Sequence, residues 1–124
     1  MSEILLDSVI LIDHFNGLTQ ATQCILELDP DSAVISVITR AEILVGFAED
    51  TLDGPKALLD QYKTLVIDKK IADKAVSLRR QHGWKLPDAF QAALAVEFNL
   101  LLLTRNSKDF DPRHHPFVHI PYQL

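Results

Sequence analysis

The sequence predicts an α/β fold, a three-layer α/β/α sandwich around a mostly parallel central sheet. Short apolar runs such as Ala33-Val34-Ile35-Ser36 and Leu100 to Leu103 have the length of strands and are apolar on both faces, as central parallel strands are. Segments with helical periodicity separate them, and this alternation calls for helices on both faces of one sheet. A third observation sets the centre: Leu86 to Phe110, LPDAFQAALAVEFNLLLLTRNSKDF, joins a helix apolar on nearly every side to a buried strand and then a polar loop.

Taken in order, Glu3-Ile4-Leu5-Leu6 reads as a buried strand closed by Asp7, and Ser8 as the N-cap of a helix from Val9 to Phe15. The β-branched run Val9-Ile10-Leu11-Ile12 equally suits a longer strand, so both readings stand at this boundary. Asn16-Gly17 breaks the chain, and Leu18 to Leu28 carries Ala21, Cys24, Ile25 and Leu28 at helical spacing. After the turn Asp29-Pro30-Asp31 comes the second strand, Ala33 to Ser36. Thr39 then reads as the cap of a helix through Ala48, with Glu42 as its capping-box partner.

A helix from Gly54 or Pro55 to Tyr62 precedes a third strand, Thr64 to Ile67. Lys69 to Gln81 is amphipathic, with Ile71, Ala75 and Leu78 on one face, and His82-Gly83 stops it. Pro87 suits the first position of the central helix, where its missing N–H costs nothing. Asp88 follows in the first turn, at the positive end of the helix dipole. Beyond Asp109 a loop leads to a final edge strand, Phe117 to Ile120, blunted by Pro121.

The 124 residues are expected to form one domain, 1–124, with a real core. The apolar share of 48% and charged share of 23% are those of an ordinary soluble globule. No run has the length of a membrane-spanning helix, Met1-Ser2-Glu3 lacks the basic start of a signal peptide, and a single cysteine, Cys24, excludes an internal disulfide. These features point to the cytoplasm, with no membrane partner. Twelve Lys and Arg against 17 Asp and Glu give a net charge of −5, the wrong sign for gripping nucleic acid by bulk electrostatics. An acidic chain acts on nucleic acid only if its acids gather around a metal and basic residues rim the site.

The order of elements sets Asp7, Glu42, Asp88, Asn106 and Asp109 at the carboxyl edge of the sheet, where open α/β folds build their sites. Carboxylates converging there raise each other's pKa unless a cation neutralises them. Oxygen ligands without thiols or paired imidazoles suit Mg²⁺ or Mn²⁺, the equipment of metal-assisted phosphodiester cleavage. Each acid also has a plain reading: Asp7 a strand-end turn residue, Asp88 a first-turn acid, Glu42 a capping partner, Asp109 a solvated loop acid. Against those, Asp7 and Asp88 interrupt apolar sequence, and an acid tucked into such a setting needs a partner.

The segments LLDSVILIDHF, SVITRAEILVGF, LPDAFQAALA and LLTRNSKDF resemble, in order and spacing, the four signature segments of PIN-domain nucleases, specifically the bacterial VapC-type toxins. The resemblance covers nearly the whole chain. It implies a PIN-like fold and a Mg²⁺- or Mn²⁺-dependent endoribonuclease whose acids are Asp7, Glu42, Asp88 and Asp109. It also implies a homodimer and a cognate antitoxin that blocks the site with an arginine or a helix in a groove. The apolar residues Val9, Ile12, Phe15, Ile43, Leu44 and Phe47 of the first helices give that partner a surface. Ser8 stands where the family often has threonine and keeps the hydroxyl; Thr104 and Asn106 support the site from beyond the fourth strand. Asn106 replaces a frequent aspartate and weakens any second metal position. Gln91, a helical turn after Asp88, stands where the family is usually apolar; it reads first as solvent-facing and second as a contact to the site.

Arg40, Arg105, Lys108 and Arg113 are candidate contacts to RNA phosphates, and Trp84 either stacks on a base or packs on the central helix. The pair His114-His115 reads as an exposed loop, and His14, His82 and His119 show no nucleophile–base spacing. Two rival classes remain. A receiver-type phosphoacceptor domain would use Asp68, but the early paired acids it needs are missing. A catalytically silent PIN-like module that binds RNA or protein would have no need of the acids.

Overall fold

The computed structural model describes residues 3–124; Met1 and Ser2 lie outside it. The elements run β1 (Ile4–Leu6), α1 (Ser8–Phe15), α2 (Thr19–Glu27), β2 (Ala33–Ser36), α3 (Val37–Val45), a 3₁₀ turn (Glu49–Thr51), α4 (Asp53–Leu59), β3 (Lys63–Leu65), α5 (Lys69–His82), α6 (Leu86–Glu97), β4 (Leu101–Leu103) and β5 (Val118–His119). The five strands form one sheet in the order β3-β2-β1-β4-β5, with every neighbouring pair parallel. Helices cover both faces, giving the three-layer α/β/α sandwich that the alternation predicts.

Strand side chains alternate between faces, so each apolar run feeds two cores. Leu5, Val34, Leu102 and Val118 point to the side of α5 and α6, where Ile71, Ala75, Trp84, Ala92 and Phe110 meet them. Leu6, Ile35 and Leu103 point to the other side, against Ile10, Leu11, Ala21, Ile25, Ile43 and Leu59. This two-sided burial is why β1, β2 and β4 carry no polar alternation.

Both of the first expected caps shift by a few residues. Asp7, not Ser8, caps α1: its carboxylate accepts the Ser8 N–H, and Val9 to Ile12 continue as helix rather than strand. Ser36, not Thr39, caps α3, its hydroxyl oxygen accepting the Thr39 N–H at 3.1 Å. The capping-box position therefore falls on Thr39, and Glu42 has no such role. That helix ends at Val45 rather than Ala48 because Gly46 closes it. The fourth helix stops at Leu59, and Tyr62 is buried instead beneath the approach to β3. The edge strand β3 covers Lys63–Leu65 and leaves Val66 exposed.

Helix α5 closes on Gly83, whose φ of 75° is the left-handed conformation that glycine adopts without a Cβ penalty. Helix α6 starts at Leu86, with Pro87 inside its first turn. Its alanines are buried, but Leu86 at its start and Val96 and Phe98 at its far end are exposed, so the all-round burial expected of it holds only over its middle, from Ala89 to Ala95. No helix among the described residues is long and apolar enough to cross a membrane.

Candidate active site

The carboxyl ends of β1 and β4 lie side by side because Leu6 pairs with Leu103 in parallel register. The next residue on each strand is polar, Asp7 on one and Thr104 on the other. Asp7 is buried, with 6% of its surface exposed, and three donors hold its carboxylate. The Ser8 N–H reaches Oδ1 at 2.9 Å, the Gln91 amide reaches Oδ1 at 3.0 Å, and the Thr104 hydroxyl reaches Oδ2 at 2.7 Å. None of these donors is charged, and Asp7 has no ion-pair partner among the described residues.

Asp88 enters from the first turn of α6. Burial pushes its pKa up to about 6, and the charges of Asp7, Asp109 and Glu42 push the same way, with Lys85 opposing them. Glu42, on α3, is exposed by area yet raised in pKa, first by desolvation and then by the charge of Asp7, with the Ser8 hydroxyl working the other way. The charges of Asp7, Asp109 and Glu42 thus act on Asp88, and that of Asp7 acts on Glu42. Asp7, Ser8, Asp88, Arg105, Asn106 and Lys108 line a common cleft of about 380 Å³. Glu42 lines the neighbouring apolar groove instead, and Asp109 stands on the loop beside the cleft.

That loop is fixed at several points. The Thr104 hydroxyl accepts the Asn106 N–H at 3.1 Å while donating to Asp7. The Asn106 amide donates to Asp109 Oδ2 at 3.0 Å and accepts the Asp109 N–H at 3.3 Å. Trp84 is buried against α6 and Phe110, and its indole N–H donates to the Asp109 carbonyl at 3.0 Å, so packing takes its faces. Arg105 does not reach freely toward a phosphate: its guanidinium grips Asp13 at 2.6 and 3.0 Å. Tyr122 donates to the same carboxylate at 2.8 Å. Burial alone would raise the Asp13 pKa, but these hydrogen bonds and the guanidinium charge outweigh it and hold it below the usual range. Arg40 pairs with Asp60 at 2.7 Å and does not line the cleft. Arg113 is turned onto Asp111.

Gln91 departs from its first reading. It is buried, with 2% exposure, and bonded to Asp7 and Thr39 rather than facing solvent. Asp13 and Tyr122 escaped the sequence reading altogether. For Asp13 the signal was present, an acid inside the same apolar LLDSVILID that drew attention to Asp7. Lys85 is the remaining addition, the base that faces Asp88.

A family model described as PIN domain matches residues 4–112. The chain belongs to the PIN domain family. A solved toxin–antitoxin complex from Klebsiella pneumoniae matches with 36% identity and a TM-score of 0.87, over 98% of this chain and 100% of the other. FitAcB from Neisseria gonorrhoeae matches at 21% identity and a TM-score of 0.78, over 98% of this chain and 99% of the other. VapBC-1 from nontypeable Haemophilus influenzae matches at 21% and 0.74, over 95% of this chain and 97% of the other. The latter two show the fold alone. A search of curated proteins finds no match. In this PIN domain Asp68 caps α5, accepting the Ile71 N–H at 2.9 Å, so a helix end and not a phosphoacceptor site occupies that aspartate.

Among the described residues, no three His, Cys, Asp or Glu side chains are gathered closely enough to cage a metal ion. The donor set nonetheless fits one kind of cation. Its oxygens are hard, its carboxylates are in excess of nearby bases, and Mg²⁺ characteristically takes one or two protein carboxylates and keeps several waters.

Proposed function

We propose that this PIN domain is a divalent-metal-dependent endoribonuclease, the toxin of a toxin–antitoxin pair, with Asp7, Glu42, Asp88 and Asp109 as its acidic residues. The observation that carries the reading is Asp7: a buried carboxylate with no basic partner among the described residues, held by neutral donors and facing a second acid. A buried charge in that setting is costly unless a cation arrives to pair with it. Asp7 and Asp88 would hold Mg²⁺ or Mn²⁺ in the cleft, with Glu42 and Asp109 contributing from its sides.

Such a cation, when bound, supplies Lewis acidity for the attack of water on a phosphodiester and offsets the charge of the phosphate. The protein's own groups orient it. Thr104, Ser8 and Gln91 fix the Asp7 carboxylate, and the Asn106 amide fixes Asp109. Asp88, whose pKa burial and the neighbouring acids raise to about 6, would hold the cation in its charged form. Lys108 at the cleft and Lys85 beside Asp88 give an acidic protein the local positive charge that a phosphate chain needs. Hydrolysis adds water across the bond and leaves a 5′-phosphate and a 3′-hydroxyl.

The antitoxin reading draws on the groove beside Glu42, about 300 Å³, lined by Ile12, Phe15, Ile43 and Phe47. An apolar helix with a basic side chain turned toward Glu42 suits it. A homodimer and a cytoplasmic setting follow from the same family reading. The spread of the acids is what favours the rival, a catalytically silent module. Cleavage of generic single-stranded RNA separates the two. Activity with Mn²⁺, none with EDTA, and a loss of at least about a hundredfold in Asp7→Asn, roughly 2.7 kcal/mol of barrier, is expected. Folded wild-type protein that cleaves no RNA with Mn²⁺, or Asp7→Asn turning over within about tenfold of it, refutes the assignment.

A further inference from the structure

Gln91 lies on the face of α6 that meets the carboxyl edge of the sheet, and its amide nitrogen donates to Asp7 Oδ1 and to Thr39 Oγ1, each at 3.0 Å. Its amide oxygen is buried with no hydrogen-bond partner among the described residues. Buried polar atoms are ordinarily satisfied, so the amide is held by what its nitrogen does and not by its oxygen. Turning the amide over would set that oxygen against the Asp7 carboxylate, which repels it. Thr39 completes the cradle from α3, where the Ser36 hydroxyl donates to its Oγ1 at 3.3 Å.

The consequence appears on counting acceptor sites. A carboxylate has about two on each oxygen. On Asp7, Oδ1 accepts from both the Ser8 N–H and Gln91 and is full, whereas among the described residues Oδ2 accepts only from Thr104 and keeps one site open. The Ser8 bond is local, a helix cap made by the residue next in sequence. The bond that closes Oδ1 comes from Gln91, on the helix that also carries Asp88.

We propose that Gln91 is a positioning residue that confines Asp7 to ligation through Oδ2 alone, and so selects a small octahedral cation over Ca²⁺. Mg²⁺ and Mn²⁺ suit single-oxygen ligation, while Ca²⁺ accommodates carboxylates that bind through both oxygens. The inference rests on the reading of the acids as a metal site. It adds to that reading a determinant of which ion enters, placed one layer behind the ligand.

Calorimetric titration of the full chain with MnCl₂ and, separately, CaCl₂, without RNA, tests it on wild type, Gln91→Met and Gln91→Leu, with circular dichroism confirming that each is folded. Wild type is expected to bind Mn²⁺ at least about tenfold more tightly than Ca²⁺, and each variant to reduce that ratio by about fivefold or more. A merely structural glutamine would weaken both ions in proportion. An unchanged ratio in either folded variant therefore overturns the role of Gln91 while leaving the metal site standing. Equal affinities in wild type overturn it without recourse to a variant. Failure of wild type to bind Mn²⁺ at millimolar concentration removes the metal reading itself, and this inference with it.

Discussion

Asp88→Asn should stabilise the metal-free protein at pH 8 and do almost nothing at pH 4. Its carboxyl titrates near 6 in the folded chain against an ordinary 3.8, because burial and three other acids disfavour its charge. The folded state thus binds the proton more tightly than the unfolded state between those values, and stability falls as pH rises through that window. The 2.2-unit difference, 6 minus 3.8, corresponds to about 3 kcal/mol at most, and partial exposure to solvent roughly halves it. Asparagine cannot ionise, so it escapes that penalty, but it forfeits about 0.5 kcal/mol of favourable interaction with the N-terminus of α6. A net gain of about 1 kcal/mol at pH 8 remains, some 3–5 °C in melting temperature for a chain of this size. Urea unfolding in EDTA at both pH values measures it. With Mn²⁺ present the order should reverse, because the wild-type carboxylate then gains a partner. Destabilisation at pH 8 in EDTA, or equal effects at pH 4 and pH 8, would show that Asp88 does not face the other acids.

Two further substitutions follow from the contacts around the cleft. Arg105→Ala strands the Asp13 carboxylate, whose side chain is only 10% exposed, and should cost about 2–3 kcal/mol in urea unfolding, whereas Arg40→Ala, which breaks a surface pair, should cost under about 1; equal costs would show that Asp13 is not a buried anchor. Asn106→Asp replaces a donor to Asp109 with a second carboxylate, so it should lower the melting temperature in EDTA while letting calorimetry detect a second tight Mn²⁺, where wild type holds at most one; identical isotherms would place residue 106 away from the ions.

Much of the fold could be read from the chain because the sheet is covered on both faces. That burial writes the central strands β1, β2 and β4 as apolar runs, and the helices between the strands carry their own period. The caps were harder to place, since Asp7 and Ser8 are adjacent and Ser36 and Thr39 lie within one turn, all of them good capping residues; only backbone geometry chooses among them. Asp7 and Asp88 stood out as interruptions of apolar sequence. Gln91 was legible only as a second reading, because its partners lie 84 and 52 residues away, and a glutamine among alanines carries no local sign of what it touches. Tyr122 is bound to Asp13 across 109 residues and was hidden for the same reason.

Two levels of structure hold Asp7, and they depend on different residues. The bond from Thr104 follows from the β1–β4 ladder: with Leu6 opposite Leu103 and the Asp7 N–H on the Leu103 carbonyl at 3.0 Å, the hydroxyl has the carboxylate beside it. The bond from Gln91, and the approach of Asp88, depend instead on how closely α6 lies on the sheet. On the face of α6 that carries Asp88 and Gln91, at i+4 and i+7 from Asp88, stand Ala92 and Ala95, both fully buried, whose small side chains let the helix come near. A bulkier residue at either of them would lift the first turns of α6 and carry Asp88 and Gln91 away from Asp7 together. The alanines of LPDAFQAALA therefore do more than fill the core. They set the distance between Asp7 and Asp88.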